Sequence, residues 1–158
     1  SRPRDWPRAG RLLEPVRAIS LGEAKNYCRW LNTGKTRVEF VVPDEFMWER
    51  AARGASGQAF PWGEEFEKWR EGYAAVRLGA LRPVGAFKRD VNDYGLFDVV
   101  GSVAELTRTS EEGKLVIRGG SIAGTRKDSG AGFRALVANG DERANHIGLR
   151  LFAIESSE

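Results

Sequence analysis

The sequence predicts an α+β domain with little regular structure. Three observations carry this. Two capped amphipathic helical segments lie in the first third, the later extended segments are short, and the long loops carry Trp, Pro and Gly in place of disorder-promoting runs. The 158 residues suit one domain whose core needs no metal or disulfide staple. Residues 1–14 read as a tail or linker and residues 15–158 as the domain. Nineteen glycines and five tryptophans favour a loop-rich fold with aromatic anchors over a helical bundle.

Ser20-Leu21-Gly22-Glu23 fits a capping box, in which the Ser hydroxyl and the Glu carboxylate satisfy orphan helix amides. Ala24, Tyr27, Cys28 and Leu31 follow at helical spacing, so a first helix runs from about Leu21 to Leu31. A polar turn containing Gly34 comes next, and the β-branched and aromatic run from Val38 to Val42 predicts a strand. Asp44 caps a second helix whose buried stripe is Trp48, Ala51 and Ala52, with Gly54 ending it where a positive φ is needed. From Ala55 to Asn92 the pattern is irregular, with Val84 to Phe87 as a short extended piece. Leu115 to Arg118 predicts a strand before a Gly-Gly turn, and the alternation from Ile147 to Phe152 predicts a closing strand.

Composition excludes several function classes. No apolar run approaches a membrane span, and the Arg- and Pro-rich start has no signal-peptide core. A chain beginning with Ser rather than Met reads as a fragment or processed product. The single cysteine, Cys28, forbids an internal disulfide and favours a reducing, cytoplasmic setting. The net charge of +3 is spread over mixed acidic and basic residues, which argues against a nucleic-acid face, and the basic N-terminus reads as a solvated tail.

Seven landmarks occur in order: Pro15-Val16 with Ile19-Ser20, Glu23-Ala24 with Tyr27 to Asn32, Trp48 to Gly54, Phe60 to Gly63, Tyr94 to Gly101, Arg118 to Ser121, and Ile147 to Arg150. The series resembles the formylglycine-generating enzyme (sulfatase-modifying factor) family over about Pro15 to Phe152. The resemblance implies a C-type-lectin-like fold. Formylglycine generation in that family is a copper-dependent oxidation by two closely spaced cysteines. By spacing these fall at Arg126 and Ala131, neither of which supplies a thiolate. The three-histidine iron site of a relative in sulfoxide synthesis cannot form either, because His146 is the only histidine. No copper or iron is therefore expected. His146 reads as a hydrogen-bonding residue near the last strand. Two tryptophans of the family's Gly-Asn-Val-Trp-Glu-Trp segment are absent from Gly101 to Leu106, and Ile122 stands where a third is usual.

The resemblance also implies a calcium site at Asp98, Gly101, Val103 and Glu105, through two carboxylates and two carbonyls. The alternative is that Glu105 pairs with Arg118 or Arg150 and no metal binds. A second family calcium site would start at Tyr73 to Val76, but Ala75 lacks a ligand oxygen. Arg118, Arg134 and Arg150 read as structural ties among loops.

These readings lead to a non-catalytic module that binds a protein or other macromolecule. Its ligand surface would run from Ile122 to Asn145, with Ile122, Thr125, Arg126, Asp128, Asn139, Asp141, Arg143 and Asn145, plus a loop bearing Trp62 and Trp69. Variable proteins of diversity-generating retroelements use this fold and vary the same stretch. A partner is expected to be a protein, including a chain that completes the N-terminal part of the fold. The alternatives are a regulatory pseudoenzyme domain of a larger bacterial protein, or an enzyme of unrecognised chemistry built on Asp90, Asp93, Asp98 and Glu105. An exposed acidic loop accounts equally for Asp90 and Asp93.

Overall fold

The computed structural model describes residues 13–34, 37–65, 80–138 and 143–156. Helix α1 spans Leu21–Leu31 and opens on the expected capping box: Ser20 Oγ accepts from the Glu23 amide, and Glu23 accepts from the Ser20 amide. At its far end Asn32 pairs through its side-chain amide with both backbone groups of Phe40, at 2.9 and 2.8 Å. That side chain acts as a short strand, fastening α1 to β1 (Val38–Val41). Helix α2 spans Glu45–Arg53. Asp44 caps it by accepting from the Phe46 and Met47 amides, and Gly54 ends it at φ +67°.

The remaining strands are β2 (Ala104–Glu111), β3 (Lys114–Arg118), β4 (Arg134–Val137), β5 (Ile147–Gly148) and β6 (Phe152–Glu155). Four form a sheet in the order β4-β3-β2-β5, antiparallel except where β5 runs parallel to β2. A separate ribbon pairs β1 with β6. This is an α+β fold.

Three expectations need correction. The closing strand is two strands: Ile147–Gly148 joins β2, and Phe152–Glu155 crosses to β1. Between them Arg150 turns to Glu105, which breaks the run. Val84 to Phe87 is not extended but a turn, closed by the Ala86 amide on Pro83 O. Asp90 is not an exposed loop residue but fully buried. Strands β2 and β4 were not foreseen.

Two main apolar clusters hold the domain. One gathers Ile19, Ala24, Cys28 and Val42 against Ala104, Leu106, Leu115, Ile117 and Ile147, burying the inner face of α1 on the sheet. The other gathers Trp48, Ala52, Val99 and Ala131, with Leu96 and Phe152 packed on it. Cys28 is a core residue, as its place on the apolar face of α1 predicts. No helix among the described residues is long and apolar enough to cross a membrane.

Candidate functional site

The loop after β3 is set by backbone constraints. Gly119 and Gly120 have φ of +85° and +76°, and a Cβ on Gly120 would collide with Asp128 O. Only glycine suits both demands. The loop is then fixed to the frame by the Ile122 amide on Ser102 O at 3.0 Å. A single 3₁₀ turn, Arg126–Asp128, follows. Asp128 accepts from the Thr125 hydroxyl at 2.6 Å and the Thr125 amide at 3.0 Å, which together hold its carboxyl below its ordinary pKa. Ser129 Oγ donates to Thr125 O, and the Ala131 amide donates to Ala59 O. That last bond brings in the Trp62 loop, where Phe60 and Trp62 stack with centroids 5.3 Å apart and Phe60 lies against Gly130.

Of the proposed ligand-binding residues, Ile122, Thr125, Asp128 and Trp62 therefore sit on one framework. Arg143 is engaged elsewhere: it grips the Glu23 carboxylate of α1 through Nε and Nη2, at 3.0 and 2.7 Å. Asn145 gives its carbonyl to Arg17. Asn139, Asp141, Trp69 and the Tyr73 to Val76 segment lie outside the described residues, as does the side chain of Arg126. His146 accepts the Ala104 amide on its carbonyl and borders a cavity of about 240 Å³ lined by Leu106, Leu115, Val137 and Ile147.

Around Asp98, Gly101, Val103 and Glu105 the geometry serves an arginine. Glu105 sits in β2 and accepts from Trp48 Nε1 at 2.5 Å and from Arg150 Nε at 2.9 and 3.0 Å. Arg150 Nη2 also donates to Phe97 O at 2.8 Å and Asp98 O at 3.3 Å. The Glu105 charge, first among several causes, raises the pKa of Arg150. Asp98 adopts φ +56° and accepts the Gly85 amide at 2.6 Å. The Gly101 amide donates to Gly119 O, and Val103 is buried. Both oxygens of Glu105 are thus already bonded, and a cation held there would compete with Arg150. Among the described residues no group of three or more His, Cys, Asp or Glu gathers as a metal site.

Arg118 and Arg134 tie α2 to the sheet. Arg134 Nε donates to Glu45 at 2.7 Å, and Arg118, only 2% exposed, pairs with Glu45 and Glu49. Sequence reasoning missed these acidic partners, although Glu45 and Glu49 share a helix face at i, i+4.

Comparison with known proteins places this frame. Residues 2–154 match the model of the sulfatase-modifying factor enzyme 1-like domain. The chain belongs to that family. A Bos taurus protein named inactive C-alpha-formylglycine-generating enzyme 2 is 34% identical over 156 residues, covering 86% of this chain and 49% of its own length. A formylglycine-generating enzyme of Mycobacterium tuberculosis is 32% identical over 119 residues, covering 67% of this chain and 37% of its own. The chain thus spans about half the length, or less, of these relatives. Among solved structures, Treponema denticola variable protein 1 superposes with a TM-score of 0.78 at 21% identity, covering 95% of this chain and 75% of that one. PvdO from Pseudomonas aeruginosa gives 0.74 at 25% identity, covering 91% and 63%.

Proposed function

We propose that this chain is a non-catalytic member of the family, binding a protein ligand through the Ile122–Ser129 loop and the adjoining Trp62 loop. The observation that carries this reading is the state of the positions where the family's reactive cysteines would fall. One is Arg126. The other is Ala131, which is 0% exposed and enclosed with Trp48, Ala52 and Val99. The one cysteine, Cys28, is buried in the other cluster, and burial pushes its thiol pKa up. A pair of exposed thiolates, which soft copper requires, has no source in these residues.

What remains is a stiff frame carrying polar loops. The Thr125–Asp128 turn and the Phe60–Trp62 stack fix the backbone, while Ala123, Thr125 and Lys127 face solvent. Rigid presentation lowers the ordering cost of binding. The naming of two relatives as inactive enzymes supports this reading. The relatives named as formylglycine-generating enzymes define its competitor.

The test has two arms. The purified chain is incubated with Cu(I), oxygen and a cysteine peptide, and mass spectrometry looks for the aldehyde; none is expected. In parallel, partner capture by the wild type is compared with Asp128→Ala, which unfastens the loop. Capture is expected to fall at least tenfold. Aldehyde formation, or equal capture by both, would sink the reading.

A further inference from the structure

One flank of α1 and the adjoining edge of β1 enclose a surface pocket of about 250 Å³. Two ties set its walls. Asn32 spends its side-chain amide on both backbone groups of Phe40, which holds the end of α1 beside β1. The Arg108 amide donates to Pro43 O at 2.8 Å, which brings β2 alongside the end of β1. Buried Cys28 and Val42 make the floor, and half-buried Phe40 and Val41 line the wall, so the interior is apolar.

The rim is basic. Lys25 and Arg29 stand one turn apart on the exposed side of α1, and Arg108 reaches in from β2. Like charges at this helical spacing repel, yet the side chains of Lys25 and Arg29 have no carboxylate or hydrogen-bond partner among the described residues. Arg108 spends only Nη2, on Asp44 at 3.1 Å and on Met47 Sδ at 3.9 Å. Opposing charge comes from Glu39 on the rim and from Asp44 behind Arg108. Three cations thus meet two carboxylates, and one positive charge is left over above an apolar floor. An amphipathic monoanion answers both features. A guanidinium fork suits a carboxylate, and an apolar body suits the floor. The volume falls below that of sites for drug-sized ligands, so the body is a single ring or a short chain.

We propose that this pocket binds a small carboxylate with an apolar body, its charge held by Lys25, Arg29 and Arg108. The site shares no residue with the Ile122–Ser129 and Trp62 loops, and it is independent of the protein-binding reading above.

The experiment titrates cinnamate into the whole 158-residue chain by calorimetry and maps the contact by NMR amide shifts. Cinnamyl alcohol, its neutral counterpart, is run beside it. Expected for cinnamate is a Kd below about 1 mM that weakens as salt rises, with shifts at residues 25–32, 39–42 and 108. The alcohol should bind at least about tenfold more weakly. Lys25→Gln combined with Arg29→Gln removes two rim charges at exposed helical positions that tolerate glutamine, and it should weaken cinnamate at least about tenfold. Glu39→Gln removes opposing charge and should tighten binding roughly threefold, a gain that a disturbed fold would not produce. No heat with wild type would overturn the proposal. So would equal binding of the alcohol, shifts centred on the cavity beside His146, unchanged affinity in the Lys25 and Arg29 double variant, or weaker binding by Glu39→Gln.

Discussion

Glu23 serves two partners that are far apart in the chain. It returns the capping bond to the Ser20 amide and accepts both bonds from Arg143, which is 120 residues away. Its pKa falls from the ordinary 4.5 to about 2, chiefly through the Arg143 hydrogen bonds and then the Ser20 amide. A carboxylate depressed in the folded state stabilises the fold above its unfolded pKa. The contribution is lost as pH falls from about 4.5 to about 2. The pair is partly solvated, so its effect is modest. Glu23→Gln is expected to melt about 1–3 °C below wild type at pH 7, with the gap closing by pH 2. A constant gap across a pH series of melting curves would contradict this. The capping box was legible because its two members lie three residues apart. The Arg143 partner was not legible, because an arginine in a polar loop shows nothing of a carboxylate 120 residues away.

Helix α2 fastens the Trp48 cluster to the sheet. Its inner face sends Trp48 into the core, where the ring lies against Gly119 and the indole N–H meets Glu105. Its first turn sends Glu45, 7% exposed, to Arg134 and Arg118. Removing one partner from a buried ion network leaves the others uncompensated. Glu45→Ala is expected to cost about 3 kcal/mol, or roughly 6–12 °C of melting temperature at this chain length. Glu45→Gln should recover part of that, because it keeps hydrogen-bond acceptance. A loss under 2 °C on thermal denaturation would show that Glu49 alone suffices for Arg118. Both helices were legible from spacing and caps. Strand β2 was not, because its buried half includes Glu105 and Thr107, polar residues satisfied by Trp48 and Arg150 and by Val116 O and the Thr109 amide. Strand β4 was hidden for a related reason: its exposed members are the polar loop's neighbours, and its pairing to β3 is long-range. Asp90 was misjudged because an acidic residue beside an Asn-Asp-Tyr-Gly turn looks solvated. Only the Val91–Phe97 pairing turns it inward.

At the scale of the whole molecule, the Trp48 cluster decides what the scaffold can become. It draws on α2, the Leu96–Val99 segment, β6 and Ala131, so four separated parts of the chain close on one another there. Ala131 acts as the small residue that lets them meet, with its amide bonded to Ala59 O and no exposed surface. A sulfur at this position would have to displace neighbours, and overpacking of this kind costs about 1–3 kcal/mol. It would also face Trp48 and Val99 rather than a substrate. The double substitution Arg126→Cys with Ala131→Cys is therefore expected to fold with a melting temperature lowered by roughly 2–12 °C. It should show no tight Cu(I) binding by competition with a chromogenic chelator, and no oxidation of a cysteine peptide by mass spectrometry. The new thiol at position 131 should react with a thiol reagent only after denaturation. If the double variant instead oxidised peptide, the frame would have kept an open reactive site and lost only its thiols. Sealing around Ala131 would then have no part in the loss of chemistry, and the binding role would need support from ligand capture alone.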